Sequence, residues 1–383
     1  LALAGPLPSV ASVRRIWSFL GLLALLAPRP SLAAPPEQPV ALDLRKMRLA
    51  KGAYVAPERG GSGAHRLTVD PELQAVAEKL LAKARPHEGA IVMSDVRTGK
   101  ILVWASRGGG DMVSTPLAPS ASVFKVVTAA TLLESHKVSP ATRQCYSGGE
   151  HGIEEEDLHD DRSRDDRCTT LGDALGHSVN LVFARLALKH LKPEALRTEA
   201  EQLGIGADIP IDIRVPRSPL RIPDDELGFG RAAAGFWNGK MSALSALFLM
   251  QTIANKGERT GLSILADGGA PAGSPDRAMR VSTANTLIRM LEVTTRSGTS
   301  AKVFHDEDGH RVFPKMNVAG KTGTLVGGKP TRMFSWFAGF APSRHPKVAI
   351  SVMLANDVKW WTKGNMVARE MLEAYFEHEK ARR

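Results

Sequence analysis

"PSASVFKVVTAATLL", residues 119–133, sets a single lysine in an otherwise apolar run, with Lys125 three positions after Ser122. A lone lysine on an amphipathic helix commonly lays its stem on apolar surface and sends its head to water. Ser-x-x-Lys is also a cheap pattern, expected by chance on the order of once or twice in a chain this long. The chemical reading is different. Residues i and i+3 share a helix face, roughly 5–6 Å apart at Cβ. A lysine held among Val123, Phe124, Val126 and Val127 is pushed toward its neutral form by desolvation. A neutral amine beside a serine hydroxyl is a general base beside a nucleophile.

Two further stretches supply the other parts such a site needs. "HSVN" puts Ser178 and Asn180 two residues apart, where two helical segments join. "GKTGT" puts Lys321, Thr322, Gly323 and Thr324 on an expected edge strand. Alternation sends Lys321 and Gly323 to one face and Thr322 and Thr324 to the other. The glycine permits close approach of another backbone. Each stretch alone is weak: Ser178 or Asn180 could equally be a helix N-cap, and Lys-Thr-Gly is a common turn tripeptide. The order carries the signal: S-x-x-K, then S-x-N 56 residues on, then K-T-G-T a further 143.

Around these motifs the chain reads as alternating strands and helices. Asp70-Pro71 opens the helix "PELQAVAEKLLAKA" as cap and first-turn pair. "GAIVMSDV" and "ILVWAS" form a hairpin about "RTGK". The stretch "GIEEEDLHDDRSRDD" reads as a solvated surface insertion closed by Cys145 and Cys168. Helices follow on both sides of Ser178, at "PEALRTEAEQLG", "MSALSALFLMQTIANKG" and "STANTLIRMLEVTTRSGTS". Three strand-like runs, "KMNVAGKTGTLV", "RMFSWFAGFAP" and "KVAISVMLAND", precede a closing helix. Two strands early and three late predict an α/β fold of the α+β type: a five-stranded antiparallel sheet flanked by helices, with a helical region inserted.

The 383 residues are 43% hydrophobic and 23% charged, ordinary globular composition. A net charge of +10 favours an anionic partner such as the cell envelope. With 5% aromatic residues and no zinc-finger, helix-turn-helix or RNP pattern, nucleic acid is not expected. Arg14 and Arg15, the apolar run Ile16–Ala27 and small residues near Ala33 and Ala34 read as a secretory signal over 1–34, with an uncleaved anchor as the alternative, although twelve apolar residues are short for a spanning helix. Residues 35–65 read as a linker or extended lead-in, and 66–383 as the catalytic domain. Cys145 and Cys168 are the only cysteines. A disulfide between them suits an exported protein, with two free buried thiols as the alternative. No metal-ligand spacing is present.

With its motifs in this order, the chain resembles the transpeptidase domain of penicillin-binding proteins, a serine D,D-peptidase/β-lactamase-like family. The resemblance runs from "RLTVDPELQAVAEKLL" to "SWFAGFAPSRHPKVAISVMLAND" and includes "RSGTSAKV". It implies a peptidoglycan D,D-transpeptidase that cross-links stem peptides and is inhibited by β-lactams. Ser122 would be the acylated nucleophile, Lys125 its base, and Ser178 the proton relay. Asn180 would hold the substrate's peptide amide, and Lys321, Thr322 and Thr324 its terminal carboxylate. No cofactor is implied. The stretch before Arg66 is too short for a glycosyltransferase, so such an enzyme is expected as a separate partner. D,D-carboxypeptidase and serine β-lactamase are the alternatives, although no Glu before Lys321 is followed by Asn four positions on, as a class A lactamase would have. A non-catalytic sensor or scaffold is the remaining one. Oligomeric state, stem-peptide type and biological setting leave no trace in the sequence.

Overall fold

Residues 39–65, expected as a linker or extended lead-in, are extended but paired. The computed structural model describes residues 1, 39–150, 152–236, 239–268 and 276–382; Arg14, Arg15 and the rest of the expected signal segment, apart from Leu1, lie outside the described residues. β1 (Arg48–Ala50), β2 (Ala53–Pro57) and β3 (Ala64–Arg66) form an antiparallel sheet in chain order. Lys51 and Gly52, both at positive φ, make the two-residue turn that matches the twist of paired strands. Alternation along β2 turns Tyr54 and Ala56 inward. With Leu42 and Leu44 they are buried in the main core. The Pro, Gly and Arg content of this stretch masked four apolar anchors.

α1 (Pro71–Ala84) begins at Asp70, whose carboxylate accepts from the N–H groups of Glu72 and Leu73 at 3.0 and 3.1 Å. The hairpin β4 (Glu88–Asp95) and β5 (Ile101–Arg107) follows, then short β6 (Ala118–Pro119), a 3-10 turn at Ala121–Val123 and α2 (Lys125–Glu134). β7 (Arg143–Tyr146) and β8 (Arg167–Thr170) flank the polar insertion. The helical region comprises α3 (Leu171–His177), α4 (Asn180–His190), α5 (Pro193–Gln202) and α6 (Glu226–Ala233). β9 (Lys240–Met241) pairs with β6 and leads to α7 (Ala243–Ala254), α8 (Val281–Arg296) and short α9 (Ala301–Phe304). β10 (Ala319–Gly327), β11 (Arg332–Ala341), β12 (Val348–Asn356) and α10 (Gly364–Ala381) close the chain. Sequence reading missed α6 and the β6–β9 pair.

The five long strands run in the order β10-β11-β12-β4-β5, all antiparallel. This is the α+β architecture with strands from both ends and helices inserted between. β12 is buried at every position and β11 at all but Arg332, so both faces of the sheet are covered. Alternation sends Ile91, Met93, Phe337, Val352 and Leu354 to the side of α1 and α10. It sends Val92, Trp336, Ala338 and Met353 to the side of α7. α7 is buried all round, the mark of a helix inside a core. At the start of α10 a side chain on Gly364 would meet the Ser335 carbonyl at 2.9 Å, so glycine lets the helix end rest on β11. No helix among the described residues is long and apolar enough to cross a membrane.

Cys145 and Cys168 form a disulfide between directly opposed positions of β7 and β8. The insertion they close is not merely solvated, as its acidic composition suggested. Ile153 and Leu158 are buried in the main core. Buried Arg185 on α4 pairs with Asp165 at 2.6 Å and donates to the carbonyls of Asp157 and Cys145 at 2.7 and 2.9 Å. Replacing both cysteines by serine is expected to cost about 3 kcal/mol through lost loop closure, read as a lower urea midpoint. An unchanged midpoint would mean that Arg185, Ile153 and Leu158 hold the insertion alone.

Candidate active site

Ser122 lies in the 3-10 turn that leads into α2, and Lys125 is the first residue of that helix. Ala121 immediately before has φ +47°, a strained value for a residue with a side chain. Two contacts fix this turn. Trp336 on β11 donates its indole N–H to the Pro119 carbonyl at 2.9 Å. Gly235, at φ +93°, sits where a Cβ would lie 2.1 Å from the Ala121 carbonyl oxygen.

Lys125 is fully buried. Its Nζ is 2.7 Å from Ser122 Oγ, 2.7 Å from Asn180 Oδ1 and 2.8 Å from the Ala234 carbonyl oxygen. Asn180 Nδ2 donates to the Gly149 carbonyl at 2.7 Å, which fixes the amide with its oxygen toward Lys125. Burial first, and then the charge of Lys321, hold the Lys125 pKa far below that of a free lysine. A neutral amine has two N–H bonds and one lone pair. The two oxygens that can only accept, from Asn180 and Ala234, take the N–H bonds. The lone pair is left for the Ser122 hydroxyl hydrogen. A protonated amine would satisfy the same three oxygens, so the proton can move with no heavy atom displaced.

Ala234 directly follows α6, and Thr128, one helical turn beyond Lys125, donates to the neighbouring Ala233 carbonyl at 2.7 Å. The α6 C-terminus therefore offers unpaired carbonyls to α2. Ser178, at φ +63°, ends α3, and Val179 caps α4 without a side-chain bond. Neither Ser178 nor Asn180 is the N-cap that was the plain structural alternative. Both are freed to face the site.

Lys321 on edge strand β10 is also fully buried, and its Nζ donates to Ser178 Oγ at 3.0 Å and to the Thr322 carbonyl at 2.9 Å. Burial lowers its pKa to about 7. Lys321 and Gly323 are buried while Thr322 and Thr324 face outward, the alternation read from sequence. A Cβ on Gly323 would sit 3.2 Å from Ala121 Cβ and 3.3 Å from Val123, so this glycine is where the strand approaches the Ser122 turn. Thr322 shares a hydrogen bond with Thr299 at 2.5 Å.

Ser122, Ser178, Asn180, Thr322 and Thr324 open into one cavity of about 510 Å³. Thr299, Phe236, Glu150 and Lys363 also line it. Sequence reasoning did not single out these four, nor Ala234 and Gly235. Thr299 lies inside "RSGTS", and Gly235 ends a run of three alanines, the one local hint of a helix stop. No metal or cofactor ligand set faces the cavity among the described residues.

The penicillin binding protein transpeptidase domain family matches residues 89–374. Among curated relatives, a probable peptidoglycan D,D-transpeptidase PbpC of Pseudomonas aeruginosa is 26% identical over 331 residues, covering 79% of this chain and 56% of that protein. Peptidoglycan D,D-transpeptidase PbpA of Mycobacterium tuberculosis is 24% identical over 335 residues, 76% of this chain and 66% of that protein. The chain thus spans between half and two thirds of these relatives. Among solved structures, the TP domain of Burkholderia pseudomallei penicillin-binding protein 3 has a TM-score of 0.69 at 21% identity, covering 82% of this chain and 96% of that one.

Gly235→Ala tests the fit between α6 and the serine turn. A side chain there meets backbone at positive φ, a strain of about 1–3 kcal/mol. The variant is expected to show a lower urea midpoint together with slower covalent labelling of Ser122. Normal stability and labelling would show that the turn does not depend on this contact.

Proposed function

Because this chain belongs to the penicillin-binding protein transpeptidase domain family, we propose that it is a peptidoglycan D,D-transpeptidase working through a Ser122 acyl-enzyme. One observation carries the reading: the Lys125 amine, fully buried and far below its ordinary pKa, 2.7 Å from Ser122 Oγ. Lys125 takes the Ser122 proton as the oxygen attacks the carbonyl of a D-Ala-D-Ala terminus. The oxyanion is received by the N–H groups of Ser122 and Thr324. Ser178, bonded to Lys321, passes a proton to the departing D-alanine amine. The hydroxyls of Thr322 and Thr324, with the charge of Lys321 behind them, hold the terminal carboxylate. Asn180 fixes Lys125 through its oxygen, and its Nδ2, now donating to Gly149, meets the substrate's peptide bond. β10 is an edge strand, so its outer N–H and C=O groups can pair with an extended stem peptide. An acceptor amine then displaces Ser122 and completes the cross-link.

β-Lactams acylate the same serine in this reading. It is supported by the M. tuberculosis penicillin-binding protein A, whose structures include penicillin G, imipenem and ceftriaxone acyl-enzyme complexes. We further propose that the protein acts outside the cytoplasmic membrane after export. A glycosyltransferase partner that supplies the glycan strands belongs to the same reading. Hydrolysis of the acyl-enzyme would make the protein a carboxypeptidase.

Incubation with benzylpenicillin followed by intact-mass spectrometry is the direct test. A single adduct on Ser122 that persists for hours is expected, absent in Ser122→Ala and slowed about 10²–10⁴-fold in Lys125→Ala. Labelling of Ser122→Ala would overturn the assignment, and rapid return to free mass would turn the reading to β-lactamase.

The pH profile is a separate test. The Lys321 charge is lost as pH rises through about 7, so acylation by a carboxylate-bearing penicillin should fall on the alkaline side. It should fall on the acid side once Lys125 is protonated, giving a bell. A rate that climbs steadily to the free-lysine pKa of about 10.4 would mean that Lys125 is not the depressed base.

A further inference from the structure

The turn between β12 and α10, residues 357–363, carries a feature that the acylation chemistry does not use. Trp361 is 68% exposed, the most exposed tryptophan among the described residues. Its ring stacks on Trp360 with centroids 4.4 Å apart and planes 18° from parallel. Trp360 is itself fixed, since its indole N–H donates to the Ala84 carbonyl at 3.0 Å. One face of Trp361 is thus covered by a pinned partner, and the other is left to water.

The turn is held at both ends. Asp357 pairs with His87 and Arg332 at 3.1 and 3.2 Å. The Gly364 N–H donates to Ser335 Oγ at 2.9 Å, and Asn365 Nδ2 to Ser300 Oγ at 3.0 Å. Ser335, Lys363 and Asn365 line the Ser122 cavity. Trp361 is therefore two residues along the chain from that cavity, on a turn anchored to its wall.

We propose that Trp361, laid on Trp360, is a stacking platform for a sugar ring of the glycan strand. It would hold N-acetylhexosamine polymer at the mouth of the cavity while an attached peptide enters. The inference rests on the reading of the substrate as a peptidoglycan stem peptide. An indole face is electron-rich, and one face of a pyranose presents a row of electropositive C–H bonds that match it. Tryptophan is enriched at recognition sites, where its ring is apolar on one side and wet on the other. A lipid surface is the other occupant with matching chemistry. Membrane docking draws on a broad face of apolar side chains entering together. Here Trp360 is withdrawn to Ala84, and in the turn 357–363 the exposed apolar side chains are Trp361 and Val358, set among exposed Asp357, Lys359 and Lys363. That area suits one ring.

The test uses the chain with tetra-N-acetylchitotetraose as the probe, titrated calorimetrically and by saturation-transfer NMR. Saturable binding is expected, weakened at least tenfold in Trp361→Ala and largely kept in Trp361→Phe, with the strongest transfer to the sugar-ring C–H protons. Penicillin labelling of Ser122 should be unchanged in both variants. It also reports on the parent reading independently, so failure of that reading shows as loss of labelling in the unmutated protein. No binding by the unmutated protein, or equal binding by Trp361→Ala, would overturn the proposal. So would Trp361-dependent sedimentation with phosphatidylglycerol vesicles in place of glycan binding.

Discussion

An amine buried with no carboxylate beside it is the constraint around which the rest of the structure is arranged. Among the described residues Lys125 forms no ion pair, and its three neighbours are a hydroxyl, an amide oxygen and a backbone carbonyl. A carboxylate would have stabilised the charged form and spoiled the base. Leaving the amine without hydrogen bonds would have cost several kcal/mol. Neutral acceptors from three separate elements solve both problems, and each element must then be held in register. α4 brings Asn180, the end of α6 brings Ala234, and the 3-10 turn before α2 brings Ser122. The cost of burying two lysines is offset by a sheet covered on both faces and by α7 buried along its whole length.

The second lysine belongs to the same arrangement. Lys321 is burdened only by burial, which takes it to about 7, whereas Lys125 feels burial and the Lys321 charge together. The two amines are separated in role by their environments. The one at the edge strand is bonded to Ser178, which lines the cavity. The one on the helix is sealed among acceptors. An arriving carboxylate raises the pKa of Lys321 and keeps its charge in place. Lys125 stays below its ordinary pKa chiefly because it is buried, with the Lys321 charge adding to that.

Much of this could be read from the chain because side-chain chemistry leaves marks in sequence. Ser122 and Lys125 share a helix turn, Ser178 and Asn180 share a helix junction, and Lys321 to Thr324 share a strand, so local spacing exposed each group. The sheet was legible because β11 and β12 are apolar at nearly every position. The rest was not, for reasons of physics. Ala234 acts through its backbone oxygen, and a carbonyl has no sequence signature. Glu150 and Lys363 reach the cavity only by long-range folding. The lead-in was misread because composition reports an average, while Leu42, Leu44, Tyr54 and Ala56 act one at a time.

The fate of an acyl-enzyme here turns on what could activate a water. Glu150 is the only acid among the described residues lining the cavity, and it is committed to Arg167 at 2.8 Å. The general bases left are Lys125 and whatever the incoming nucleophile brings. In the proposed reading, Lys125 takes the Ser122 proton during acylation and regains its lone pair only after that proton leaves through Ser178 and the departing amine. A water arriving at that stage has no carboxylate to orient it. An amine is the stronger nucleophile and needs less help from a base. In the proposed reading, the same neutral surroundings that depress the Lys125 pKa would favour aminolysis over hydrolysis and would give a β-lactam adduct no ready way off.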